Sequence, residues 1–117
     1  MFRTPKRGEV FWVAFDPSVG GEAQKTRPAI VISNNQANRK LNRILVVPLT
    51  SNIDKIFSGE TLVTVNGKSH KAIASQTTTA SKLRVGDKFG DLSHEDMWQV
   101  ENALIVHAGL DSDQAMT

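Results

Sequence analysis

The sequence predicts a mainly β fold, a small barrel closed by one C-terminal helix. Three observations carry that expectation. Short runs rich in Val, Ile, Phe and Thr recur along the chain, separated by Gly, Pro and Asn. An Asn66-Gly67 pair sits between two such runs, the strongest short-range hairpin signal. Sustained helical periodicity is confined to one stretch near the C-terminus. Several strands with few helices bury their apolar faces as a sheet curled on itself. At 117 residues the chain is expected to be one domain, 1–117, with a single modest core.

The elements follow in order. Residues 9–15, EVFWVAF, are aromatic and β-branched and stop at Asp16-Pro17, a turn initiator. Residues 28–33, PAIVIS, form a second strand, in which Pro28 fits only at the first position or on an edge. The eleven-residue DPSVGGEAQKT between them is long for a hairpin, with Gly20-Gly21 near its middle, and is a candidate functional loop. NNQANRKLN (34–42) is polar, a loop with room for one helical turn. ILVVPLT (44–50) is a third strand stopped by Pro48, and ETLVTV (60–65) turns at Asn66-Gly67 into a return strand over SHKAIASQTT (69–78). Residues 81–86 predict a short helix or turn, and KFGDLS (88–93) a short last strand. The helix begins after the N-cap Ser93, with Glu95 and Asp96 in its first turn and Asp96 at the capping-box position. Met97, Val100, Leu104 and Ala108 mark its core face, and Gly109 ends it.

Composition narrows the function classes. With 39% hydrophobic and 22% charged residues the chain has the make-up of a soluble globular protein, and no stretch approaches the ~18 apolar residues of a membrane span. The basic N-terminus, MFRTPKRGEVFWV, has a short apolar run and no small-residue cleavage site, so no secretory leader is expected. Zero cysteines exclude disulfides, thiolate catalysis and cysteine-bound zinc, and fit a reducing cytoplasm. Charge is uneven. Residues 1–86 hold thirteen basic against five acidic side chains, and residues 87–117 one lysine against seven acids. A basic body suits a polyanion or an acidic peptide, or is simply solvated surface.

No histidine among His70, His94 and His107 has a second metal ligand at i+3 or i+4, and no paired-carboxylate spacing occurs, so no metal is expected. His94 fits an exposed first turn and His107 a cation near a helix C-terminus. Phosphate-cradling glycine motifs are absent, so no nucleotide cofactor is expected. Arg27 is the residue with a chemical suggestion. Pro28 holds it in an extended conformation, and its five donors match phosphate oxygens bidentately. Gly20 and Gly21 allow close approach of a ligand, and Lys25 adds charge. An arginine bridging Glu22 or Asp16 at a strand end explains the same residue. Thr50, Ser51 and Asn52 put hydroxyl and amide groups at another strand-to-loop edge, where turn backbone would also use them.

The order of the pieces adds more. R-G-E-V-F-W-V (7–13), D-P-S-V-G-G-E (16–22), K-T-R-P-A-I-V-I-S-N (25–34) and V-V-P-L-T-S-N (46–52) together resemble the MazF/Kid/PemK family of toxins from bacterial toxin–antitoxin pairs. The likeness runs on through S-Q-T-T-T (75–79) to G-D-L-S-H-E-D-M (90–97), about residues 7–110 in all. It implies an SH3-like β-barrel of the CcdB/MazF-like toxin fold, a homodimer, and metal-independent cleavage of single-stranded RNA to 2′,3′-cyclic phosphate and 5′-OH ends. It also implies neutralisation by an acidic, extended antitoxin segment, with DNA met only indirectly through the antitoxin complex. Carried over by motif, Arg27 and Thr50 are catalytic; Glu22 is the best remaining carboxylate for a base, or else only orients Arg27. Lys25, Thr26, Ser51, Asn52, Lys55 and Gln76 are then expected to bind substrate. The chain departs from the members that carry His in the first loop and Arg and Asp before the Gln: Gly21, Ile73 and Ser75 stand there. A CcdB-like gyrase poison and a degenerate RNA- or peptide-binding barrel are the alternatives.

Overall fold

The computed structural model describes residues 3–15 and 25–110. The elements are β1 (Glu9–Ala14), β2 (Thr26–Val31), α1 (Asn35–Lys40), β3 (Arg43–Thr50), β4 (Glu60–Val65), β5 (Lys68–Ile73), β6 (Thr78–Ser81), β7 (Val85–Asp91) and α2 (His94–Ala108), with 3-10 turns at Ala74–Gln76 and Lys82–Arg84. The strands form one curled antiparallel sheet in the order β4-β5-β3-β2-β1-β7, with β6 also on β3. The expected mainly β architecture with a C-terminal helix is what forms.

Two prolines lie inside strands, and the register explains both. Phe15 N donates to Lys25 O (3.2 Å), so along β1–β2 the hydrogen-bonded pairs fall on odd residues. Pro28, opposite Trp12, therefore turns its nitrogen away from β1 toward β3, whose pairing with β2 begins one residue later at Ala29–Pro48. Pro48 does not stop β3, contrary to the sequence expectation. Its nitrogen faces the interval between β6, which pairs with β3 as far as Val46, and β5, which pairs from Leu49. Each proline thus sits where its side of the ladder ends or is interrupted. β2 accordingly begins at Thr26, two residues before Pro28.

The hairpin expected at Asn66-Gly67 is present, with both residues at positive φ (54° and 76°) as a type I′ turn requires. The return strand is shorter than expected. β5 ends at Ile73, a 3-10 turn takes Ala74–Gln76, and the chain resumes as β6. That turn carries the chain from the end of β3 to its beginning, and Ser75 N donates to Gly59 O (2.9 Å) to anchor it. The last strand starts at Val85, three residues earlier than expected, after the anticipated 3-10 turn capped by Ser81. Residues 34–42 contain α1, N-capped by Asn34.

Ser93 caps α2 by accepting from Asp96 N (3.1 Å), and Gly109 ends it at φ 70°. The Asp96 carboxylate accepts from Thr64 N (2.8 Å) on β4, tying the helix to the sheet rather than closing a capping box. Met97 and Val100 are buried, and Ala103 and Leu104 pack beside them, but Ala108 is exposed because the last turn runs past the sheet. Among the described residues no helix is long and apolar enough to cross a membrane.

The curl makes two cores. Val10, Ile30, Val47, Leu49, Val63, Val65 and Ala72 form the first, under Met97 and Val100 of α2. Phe11, Val13, Ala29, Val31, Ile44, Val46 and Ala80 form the second. Alternate residues of the same strands supply them.

Candidate active site

The first core does not close at the end where β1, β2, β3 and β5 run out. Two residues beyond Val10 comes Trp12, two before Ile30 comes Pro28, and two before Ala72 comes His70, so all three continue the face that the core occupies. These residues, with Leu49 and Phe89, make the walls of an open pocket of about 290 Å³, and Lys25, Arg27, Thr50 and Ser51 stand with them as its polar lining. Arg27 lies on β2 opposite Val13, and Thr50 is the last residue of β3, opposite Lys71. Residues 23 positions apart in sequence thus meet at one site because β2 and β3 are neighbours.

Both are half-buried, which limits water access while leaving their polar heads reachable. Among the described residues the Arg27 guanidinium makes no ion pair. Asp16 and Glu22, its alternative partners, and the loop glycines Gly20 and Gly21 lie outside the described residues. Thr50 Oγ1 accepts from Asn52 N (3.2 Å), and Asn52 Oδ1 accepts from Asp54 N (3.3 Å). The T-S-N run therefore does shape its own turn, and Thr50 keeps its hydroxyl proton for another acceptor.

The other expected contacts divide. Thr26, Asn52, Lys55 and Gln76 are exposed and lie outside the pocket lining. Lys71 Nζ holds the 51–59 loop by donating to Lys55 O (3.1 Å), and it pairs with Glu60 (3.3 Å). The Phe57 N–H and Lys71 keep the Glu60 carboxylate below its ordinary pKa. Ile73, where some toxins of the resembling family carry Arg, is buried at the end of β5, and Ser75 sits in the 3-10 turn. Part of the basic surplus is used internally: Arg3 (3.2 Å) and Lys88 (3.0 Å) pair with Glu9, and Arg7 pairs with Glu101.

His70, Trp12 and Phe89 also line the pocket, although no motif in the sequence assigns them to a site. Phe89 packs edge-on against both others, with ring centroids 5.2 Å from Trp12 and 5.7 Å from His70. Asn66 Nδ2 donates to Phe89 O (2.7 Å), and the next residue, Gly90, lies so close to the hairpin that a Cβ would meet Val65 at 2.6 Å. The wall is thus locked to the β4–β5 turn. Burial, and secondarily the Lys68 ammonium, hold the His70 imidazole below its ordinary pKa, neutral at neutral pH. The signal for His70 was its alternation with Ala72 on the inward face.

Residues 6–107 match the family described as PemK-like, MazF-like toxin of type II toxin–antitoxin system. The chain is 37% identical over 114 residues to Endoribonuclease MazF9 of Mycobacterium tuberculosis (strain ATCC 25618 / H37Rv), an alignment covering 90% of this chain and 97% of the relative. Its fold is similar to MazF (Form-I) from Deinococcus radiodurans, with TM-score 0.79 and 22% identity over 92% of this chain and 98% of that one. It is also similar to a mycobacterial endoribonuclease in complex with its cognate antitoxin, with TM-score 0.74 and 23% identity over 91% and 96% of the two chains.

Proposed function

The chain belongs to the PemK-like, MazF-like toxin family, and from that premise we propose that it is an endoribonuclease toxin cutting single-stranded RNA, without a metal, at the Arg27–Thr50 pocket. The 2′-OH next to the scissile bond attacks phosphorus in line as the P–O5′ bond breaks, leaving a 2′,3′-cyclic phosphate and a 5′-OH. The proton from the 2′-OH goes to a base, and O5′ takes one as it leaves. Arg27 stabilises the charge that builds on the phosphorane oxygens, and its fork can also donate toward O5′. A guanidinium offers donors and no acceptor, so the base is another group. Thr50 donates its hydroxyl to a non-bridging oxygen or orients the 2′-OH. Glu22 is the best remaining carboxylate for that base, so Glu22→Gln is expected to remove the acidic limb of the pH–rate profile, and an unchanged profile would leave Glu22 only orienting Arg27.

The observation that carries this reading is that Arg27 and Thr50, from different strands, line one pocket beside Lys25 and Ser51. Thr26, Asn52, Lys55 and Gln76 lie outside that lining and would track the RNA strand on either side. The 51–59 loop exposes Ile53, Ile56 and Phe57 near this basic rim, a surface suited to an extended antitoxin segment with acidic and apolar residues. Such a segment would compete with RNA. The protein would work as a homodimer in the cytoplasm.

The test is incubation with a long single-stranded RNA in EDTA, followed by mapping of the ends. Cyclic-phosphate and 5′-OH ends are expected. No cleavage, with trapped gyrase–DNA complexes instead, would replace this reading with that of a gyrase poison.

A further inference from the structure

The His70 side chain presents a contradiction. The residue is 9% exposed, and its Nε2 is buried without a hydrogen-bond partner. A polar atom in that state costs free energy unless a ligand satisfies it. No other buried side-chain polar atom among the described residues is left so. The neighbours of His70 do not explain it as core: the residue lines the pocket holding Arg27 and Thr50, together with Trp12, Pro28 and Phe89.

Those walls have the chemistry of a slot for a flat heteroaromatic ring. Trp12 and Phe89 offer aromatic surface, Pro28 an apolar ring, and Arg27 a planar cation. We infer that the nucleobase flanking the scissile phosphate seats against Trp12 and Phe89 and meets His70 Nε2 with its polar edge, making His70 a specificity-determining residue. The inference rests on the endoribonuclease reading above and deepens it. A neutral imidazole carries one donor and one acceptor nitrogen, so it accepts only a base whose edge offers the complementary group. Discrimination is strongest where a wrong base would leave a buried polar atom unpaired. A base edge that reaches Nε2 would supply the partner the free protein lacks.

The test compares the native protein with His70→Leu and His70→Gln on a pool of randomised single-stranded RNA, with every cut site sequenced. His70→Leu is expected to reduce the preference at one position beside the cut about tenfold, leaving the preferences elsewhere intact, and His70→Gln to retain part of it. In a second measurement Trp98→Phe leaves Trp12 as the sole indole. An oligonucleotide of the preferred sequence, 2′-deoxy at the cut and bound to saturation by anisotropy, is expected to quench Trp12 emission. Unchanged cut-site preferences in both His70 variants, or Trp12 emission unmoved at saturation, would overturn the inference. If native protein cuts no RNA, the endoribonuclease reading fails, and Trp12 quenching by a randomised single-stranded oligonucleotide still decides whether the slot takes a base.

Discussion

The two cores of the barrel use the same three strands to opposite ends. On one face of β1, β2 and β3 the second core is filled by Phe11, Val13, Ala29, Val31, Ile44 and Val46, all apolar and all buried. On the other face the first core begins in the same way, with Val10, Ile30 and, on β5, Ala72, and then changes character within two residues to Trp12, Pro28 and His70. Among the described residues the sealed side leaves no buried side-chain polar atom without a partner. The open end holds an arginine without an ion pair among the described residues, a threonine hydroxyl with a free proton, and a buried nitrogen without a partner. Groups left in that state by an otherwise well-packed molecule are the ones a ligand completes.

If that contrast is correct, substitutions at the two ends should separate stability from activity. Ile44, 2% exposed in the sealed core, should when changed to Ala lower unfolding free energy by about 2–5 kcal/mol. Cleavage per folded molecule should stay near native. Chemical denaturation with activity measured in the folded range checks both halves.

At the open end Thr50→Ala should reduce cleavage by about tenfold or more while moving the unfolding midpoint little, since a lost hydrogen bond to a charged group costs about 1.5–3 kcal/mol. Thr50→Ser should retain most of the rate. Equal losses in the two variants would show that the methyl group, not the hydroxyl, matters there.

The smallest effect concerns pH. His70 has a lower pKa folded than unfolded, so the unfolded chain takes up its proton first. Its contribution is neutral above the ordinary histidine value and becomes destabilising as pH falls below about 6.5. His70→Leu should remove that part of the acid-side loss, flattening stability against pH from about 6.5 downward. A native slope retained in the variant would assign the loss to the carboxylates, of which Glu60, with its lowered pKa, is one.

Much of this could be read from the residues, for identifiable reasons. Asn66-Gly67, Ser93 and Gly109 act through local backbone geometry, so their turn and caps were visible without a partner strand. The Arg27–Pro28 pair and Thr50 were legible as strand-end groups, and their motifs as those of a toxin family. What was hidden depends on pairing across the sheet. The break at Ala74–Gln76 exists because β5 and β6 share β3, and Pro48 is tolerated because it falls in the interval between them. His70 was set aside for lack of a metal partner, although alternation with Ala72 already placed it inward. That it faces a pocket depends on Trp12 and Phe89, distant in sequence.

The most direct test of the contrast is Arg27→Ala measured twice on one preparation, by single-turnover RNA cleavage in EDTA and by equilibrium unfolding. The predicted result is a rate lower by about 10²–10³, with an unfolding free energy close to native. A folded Arg27→Ala protein that cuts at the native rate, or one that loses activity only in proportion to lost stability, would contradict the account.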